Sequence, residues 1–323
     1  MHPAARTWFT RRTTATGDWP RACVYADKRD QQVTVIIPAR DEELTIGSIV
    51  TAIRDELMSG PMPLVDDLLV VDSDSSDATA RVAREAGARV VATTEVLPDI
   101  PTVAGKGEAM WRGLAATEGE VVVFLDADLR SFTPDYVIAL LGPLLSDSSV
   151  HLVKACYDRP LIADSGRRVM GGGRVTELVA RPLLNLHWPE LAGVAQPLAG
   201  EYAVRRELIE GLPIPCGYGV EFALLVDTAV TLGLDAVAQV DLGERRHRHQ
   251  DDQRLGLMAA EIWQVALDRL DPGNVVPRPG DSIAEFTYGP DGVTMADHVV
   301  DVLVRPPLVQ VRERSSRGTS GTP

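Results

Sequence analysis

Short apolar runs alternate along the chain with stretches in which apolar residues recur at helical spacing. Residues 33–38, "VTVIIP", form the first run; behind it Leu44, Ile46, Ile49, Val50, Ile53 and Leu57 share one helical face, predicting a strand and then a helix over 44–58. The unit repeats. "DDLLVV" at 66–71 predicts a second strand, "DSDSSD" a polar turn with capping residues, and "ATARVAREAG" a helix closed by Gly87. "ARVVA" and "GEAMWRGLAATEG" give a third pair, and a fourth strand begins near residue 120 and runs into Asp126-Ala127-Asp128. Strands separated by helices of this length imply a parallel, doubly wound α/β sheet, whose ligands meet the carboxyl ends of the strands. The polar residues after each strand are therefore the candidate site.

The second half is less regular. "GGGRVTELVARPLL" at 171–184 predicts a glycine loop opening a helix, "LAGEYAVRRELIEGL" at 198–212 an extended piece and then a helix, and "VEFALLVDTAVTLGL" at 220–234 a helix. "DAVAQVDL" predicts another strand, followed by "GERRHRHQ", an amphipathic segment near 254–270, a Pro/Gly-rich stretch at 271–292 and a polar tail expected to lack order. No internal repeat is visible. The organisation expected is an N-terminal extension over 1–30, a nucleotide-binding half over 31–150, an acceptor-binding and dimerisation half of the same domain over 151–308, and a disordered tail over 309–323.

Composition narrows the chemistry. The 323 residues are 45% apolar, enough for one large core or two modest ones, and the net charge of −14 disfavours a surface that neutralises a nucleic-acid backbone. Three widely separated cysteines, Cys23, Cys156 and Cys216, suggest neither a disulfide framework nor a metal cluster and fit a reducing compartment. No run reaches the roughly 18 apolar residues of a membrane span, and the N-terminus lacks the apolar core of a signal peptide. The expectation is a soluble cytoplasmic protein with no nucleic-acid or membrane partner.

The carboxylate pair is the first chemical signal. In an extended chain Asp126 and Asp128 share one side with Cα atoms roughly 6.5 Å apart. They could face one hard cation such as Mg²⁺ or Mn²⁺, which completes its shell with water and phosphate oxygens. A solvated turn would look the same. The first strand–helix turn, "PARDEELT", has no glycine and so cannot be the G-x-G-x-x-G turn of a dinucleotide fold. It offers Pro38, Ala39 and Glu42 for gripping a base or ribose, unless "RDEE" only complements a helix dipole. Asp72 and Ser73 extend the same rim. Lys106, between two glycines at a helix start, could meet a diphosphate with its ammonium and neighbouring N–H groups. Arg245 and His247 in "RRHRHQ" could contact a diphosphate and a metal, or form a solvated basic turn. Glu221 could receive sugar hydroxyls or cap its helix, and Gly173, Arg174 and Thr176 could bind an anion or merely make a tight connection.

Taken together and in order, "VIIPARDEE", "VVDSDSSDAT", "GKGEAMWRGLAAT", "VVFLDADL", "GGGRVTELVARPLL", "QPLAGEYA", "GYGVE" and "QVDLGERRHRH" resemble the actinobacterial glucosyl-3-phosphoglycerate synthases over roughly residues 33–255. The resemblance implies a GT-A fold, a homodimer, and retaining transfer of glucose from UDP-glucose to the 2-hydroxyl of 3-phosphoglycerate with Mg²⁺ or Mn²⁺. It implies that Pro38, Ala39, Glu42, Ser73 and Lys106 hold UDP, that Asp128 and His247 bind the metal, that Asp126 contacts the nucleotide-sugar, and that Arg245 touches the diphosphate. Leu198, Gly200, Tyr218 and Glu221 would surround the glucose. Asp128, Lys106, Glu221 and Arg245 would carry the catalysis. Gly173, Arg174, Thr176 and His249 would receive the acceptor. Three positions depart from the family pattern: Ala127 replaces Ser, His249 replaces an Asn that helps bind phosphoglycerate, and Asp158 replaces a basic residue. The last two leave open another phosphorylated or nucleoside-like acceptor. A nucleotide-binding regulator that has lost catalysis is the alternative from another class, and a nucleotidyltransferase would need the glycine-rich first turn that is absent.

Overall fold

A computed structural model describes residues 1–158, 161–162, 168–169, 173–244, 252–270, 282–289, 292–300 and 302–318. Eight strands form its central sheet: β1 (Thr13–Ala15), β2 (Val33–Ala39), β3 (Asp67–Asp72), β4 (Arg89–Ala92), β5 (Val121–Phe124), β6 (Leu152–Asp158), β7 (Tyr202–Arg205) and β8 (Val237–Glu244), in the spatial order 1-8-6-7-5-2-3-4. All neighbours are parallel except β7, which runs antiparallel to both β5 and β6. The expected parallel sheet is thus mostly parallel.

Period-two alternation explains why helices cover both faces. Val33, Val35, Ile37, Val121, Val123, Val70 and Ala203 point into one core with Ile46, Ile49, Val50 and Ile53 of the helix Ile46–Leu57 and with the helix Asp135–Ser146. Ile36, Val122, Phe124, Leu69, Val71, Tyr202 and Val204 point into the other, against the helices Lys106–Ala115 and Val220–Leu232. Leu44, expected on the first helix, lies before it and is exposed.

Three segments differ from the sequence expectation. The N-terminal stretch is part of the fold: Trp8, on the helix Pro3–Arg12, is 1% exposed with its indole donating to the Val237 carbonyl (2.8 Å), and β1 pairs with β8. At the end of the Pro/Gly-rich region and running past it, Ser282–Gly289 pairs antiparallel with Gly292–Val299, a hairpin whose short apolar runs are interrupted in the sequence by glycine and aspartate. The tail carries the helix Leu308–Gly318, which Leu308 and Val311 dock onto the second core. No helix among the described residues is long and apolar enough to cross a membrane.

Candidate active site

The loops after β2, β3 and β5 come together at the carboxyl end of the sheet. The first two are laced by their own polar residues. Asp41 and Glu43 accept from Ser76 and Ala78 N–H (2.7 and 3.0 Å), while the Asp41, Glu42 and Glu43 amides donate to Ser75, Thr79 and Asp77 (3.0, 2.7 and 3.1 Å). Asp41 and Asp74 adopt positive φ, a conformation in which Asp is tolerated because its short side chain bonds locally. Two acidic residues of "RDEE" therefore fasten the neighbouring loop rather than only facing a helix dipole. Pro38 and Ala39 remain at the end of β2 beside Ser73, whose N–H donates to the Ala39 carbonyl (2.9 Å). Thr45 ties this turn to the carboxylate motif by donating to the Ala127 carbonyl (2.7 Å).

The carboxylate motif itself is not extended. β5 stops at Phe124, and Ala127-Asp128 form a turn, so the spacing expected from a strand does not apply. Ala127 is buried in the core, whereas Asp126 and Asp128 stand at the half-buried rim, consistent with a central side chain turned away from the ligand face.

Lys106 joins three elements. Its Nζ lies 2.5 Å from Asp126 Oδ1 and 2.7 Å from Glu221 Oε1, linking the helix Lys106–Ala115, the motif after β5 and the first turn of Val220–Leu232. Burial works against the ammonium, but Asp126 and Glu221 outweigh it and hold its pKa well above the ordinary lysine value. Lys106 is therefore a permanent cation. The glycines around it serve packing: a Cβ on Gly105 or Gly107 would strike the Cys216 or Pro215 carbonyl at 2.2 or 1.8 Å, and the Glu108 N–H bonds to Cys216 O (3.2 Å). Gly200 is pressed against the pair, since a Cβ there would lie 2.1 Å from Asp126 Oδ1 and 2.4 Å from Lys106 Nζ.

Glu221 is buried at its helix start, but its carboxylate faces Lys106 instead of only capping. The preceding loop is held from behind: Glu261, on the helix Asp252–Leu270, accepts the Tyr218 N–H at 2.6 Å, and burial raises its carboxyl pKa despite that bond. Tyr218 itself is 46% exposed. Helix Asp252–Leu270 also packs against the turn Thr176–Ala180, beside which Gly173 and exposed Arg174 lie, with Thr176 buried. That turn is a π-segment ahead of Pro182, whose ring nitrogen cannot donate. Leu198 is half-buried next to Ala199 and Gly200.

Several residues of this site gave no sequence signal. Lys154 and Glu201 are fully buried, and Tyr202 stacks under Lys154 with the ammonium 4.8 Å from its ring centroid. Only the apolar runs "HLVKACY" and "GEYAV", interrupted by one charge each, could have pointed to them. Arg245, His247 and His249 lie outside the described residues, as does the side chain of Asp158. Among the described residues no three His, Cys, Asp or Glu side chains gather as a metal cluster. Asp126 and Asp128 nonetheless offer hard oxygen donors at the rim of a cluster where three carboxylates (Asp126, Glu201, Glu221) meet two lysines. That charge excess suits a divalent cation which keeps phosphate and water ligands.

Comparison with known proteins gives one consistent set. The model for "Glycosyl transferase family 2" matches residues 34–168. The chain is 46% identical over 314 residues to glucosyl-3-phosphoglycerate synthase of Mycolicibacterium paratuberculosis, covering 95% of this chain and 93% of that one. The crystal structure of the Mycobacterium tuberculosis glucosyl-3-phosphoglycerate synthase with Mn²⁺, UDP and phosphoglyceric acid superposes with a TM-score of 0.83 at 43% identity, over 93% of this chain and 99% of that one. A mannosyl-3-phosphoglycerate synthase from Rubrobacter xylanophilus superposes with a TM-score of 0.87 at 38% identity, over 95% and 99%.

Proposed function

The chain belongs to the glucosyl-3-phosphoglycerate synthase family, and on that premise we propose that it transfers glucose from UDP-glucose to the 2-hydroxyl of 3-phosphoglycerate with retention. It is a metal-dependent hexosyltransferase of GT-A fold using Mg²⁺ or Mn²⁺. The observation that carries this reading is the Lys106 ammonium held between Asp126 and Glu221 where the strands end.

The residue roles we propose are those the family resemblance implies, and the chemistry is consistent with them. Pro38, Ala39, Glu42 and Ser73 line the laced loops and hold the uridine. Asp128, with His247, would hold the cation, which when bound supplies positive charge facing the diphosphate. Lys106 and Arg245 add fixed charge where negative charge grows as the anomeric carbon–phosphate oxygen bond breaks, an effect larger in the transition state than in the ground state. Leu198, Gly200, Tyr218 and Glu221 shape the hexose site, Glu221 accepting sugar hydroxyls. Gly173, Arg174, Thr176 and His249 receive the phosphate and carboxylate of the acceptor. Glu221 is committed to Lys106, so we assign no covalent nucleophile: the acceptor oxygen bonds on the face the phosphate leaves, and its proton passes to the departing phosphate oxygen. A trapped glycosyl adduct on Glu221 would overturn that step.

The test is product identity. UDP-glucose labelled at the anomeric carbon, mixed with 3-phosphoglycerate and Mg²⁺, should give by NMR a phosphoglycerate carrying the labelled glucose in an α-glycosidic bond to its 2-oxygen; a β-linkage or an unlabelled acceptor refutes the reading. The mannosyl-transferring neighbour favours one second reading, a different hexose donor. Competition between UDP-glucose and a mannose nucleotide decides it. We also propose a cytoplasmic homodimer; the dimer is supported by Trp263 and Leu267, 45% and 52% exposed one turn apart on Asp252–Leu270, and light scattering tests it.

A further inference from the structure

Lys154 has no part in the reaction as derived above, yet it is fully buried beside the site. It sits on β6 opposite Tyr202 of β7, its ammonium 4.8 Å from that ring, and its Nζ donates to the Ala199 carbonyl at 2.5 Å. One residue on, the Ala155 N–H donates to the Glu201 carbonyl at 3.0 Å. The backbone of Ala199-Gly200-Glu201 is thus held from the β6 side at two carbonyls. From the other side it meets Asp126 and Lys106, which leave no room for a Cβ on Gly200. The segment is clamped between two lysines.

A lysine is a costly way to fill such a place. An apolar side chain of similar length would occupy the volume without burying a charge, so packing alone does not account for it. Burial holds the Lys154 pKa down to about 8, with Lys106 also lowering it and Glu221, Glu201 and Asp126 opposing them. What the ammonium adds over a methionine is a charge-assisted bond to one carbonyl of the segment that faces the hexose.

We infer that Lys154 is a positioning residue for the donor sugar, fixing the Ala199–Gly200 backbone so that the hexose, and not the uridine diphosphate, is recognised. The inference rests on the reading of the chain as a UDP-glucose-dependent transferase. Losing one charge-assisted bond to the segment lowers hexose recognition roughly tenfold.

Calorimetric titration with UDP and with UDP-glucose, each with Mn²⁺, tests it on wild type, Lys154→Met and Lys154→Gln, with thermal melts of all three. The expected result is UDP-glucose affinity down roughly tenfold in Lys154→Met, UDP affinity changed less than about twofold, and a smaller loss in Lys154→Gln, which keeps a donor. Equal losses for both ligands, unchanged affinities, or failure of both variants to fold would overturn the inference and leave Lys154 a structural residue. A wild-type chain that binds neither ligand would overturn the underlying reading, and the inference with it; that outcome is told apart by appearing before any substitution.

Discussion

Two ion clusters share the helix Lys106–Ala115, and they differ in the sign of their excess charge and in how fully they are enclosed and hydrogen-bonded. At Glu108, one buried carboxylate receives two guanidiniums: Arg112 Nε at 2.7 Å and Arg305 Nε and Nη2 at 2.6 and 2.8 Å. The remaining guanidinium N–H groups reach the carbonyls of Val96, Leu97, Ile100 and Pro101. Burial pushes the Glu108 carboxyl up, but Arg305 and Arg112 bring its pKa below the usual value. Two residues earlier, Lys106 belongs to a cluster where carboxylates outnumber cations and whose edge is open, Lys106 and Asp126 retaining 23% and 22% of their side-chain exposure. The closed cluster ties the loop after β4 and the C-terminal segment to the sheet; the open one waits for a cationic or phosphate-bearing ligand. Each cluster is off balance by one charge; what separates scaffold from site is that the closed one donates its spare N–H groups to carbonyls while the open one keeps an exposed edge.

The contrast breaks most visibly at Glu108. Glu108→Ala strands two buried guanidiniums, so denaturant unfolding should show a loss of about 3–5 kcal/mol. Lys106→Met should act on the other axis: kcat falls roughly 10²–10³-fold, as when one transition-state charge partner is removed, while the stability loss stays below that of Glu108→Ala because one of the freed carboxylates, Asp126, is open to rim water. Kinetics and unfolding on the same two variants check both.

Lys154 sharpens the comparison through pH. Its pKa is about 8 folded against the ordinary 10.5, so between those values the unfolded chain binds a proton that the folded chain does not. Its contribution to stability therefore rises as pH rises through that window, and the difference in unfolding free energy between wild type and Lys154→Met should move in favour of wild type. Thiol chemistry reads the closed cluster. Cys216, 3.5 Å from Glu108, and Cys156 are both buried with pKa values pushed up to about 12, whereas Cys23 is exposed, so a thiol reagent near neutral pH should label Cys23 alone in the native protein. The smallest effect belongs to a pair in neither cluster: Arg81→Ala removes an exposed (i, i+4) bridge to Glu85 and should cost less than about 0.5 kcal/mol.

The same contrast marks what the chain reveals as text. Strands β2 to β5 and their helices are legible because each side chain set repeats with its own period and Gly87 stops a helix in the left-handed conformation. Lys106 and Asp126 are legible as rim residues by their place in the strand–helix pattern, and Glu221 as a carboxylate at a helix start that could meet a sugar or only cap. Their mutual contact is not legible, since β7 and the helix Val220–Leu232 bring Glu221 to Lys106 across more than a hundred residues. Lys154 and Glu201 were hidden for a related reason: a charge inside an apolar run reads as a flaw in a strand until the fold supplies its partner. The hairpin over 282–299 escaped because strand pairing depends on register, which composition does not carry. Trp8 gives no signal of its role because its partner, the Val237 carbonyl, lies 229 residues away in sequence.

The central claim is that the open cluster is a working donor site that serves phosphoglycerate. The direct measurement is UDP release from UDP-glucose and Mg²⁺, with and without 3-phosphoglycerate, in wild type and Asp128→Ala. The account predicts release that depends on 3-phosphoglycerate and disappears in the variant. Release indifferent to 3-phosphoglycerate, or surviving Asp128→Ala, would contradict it.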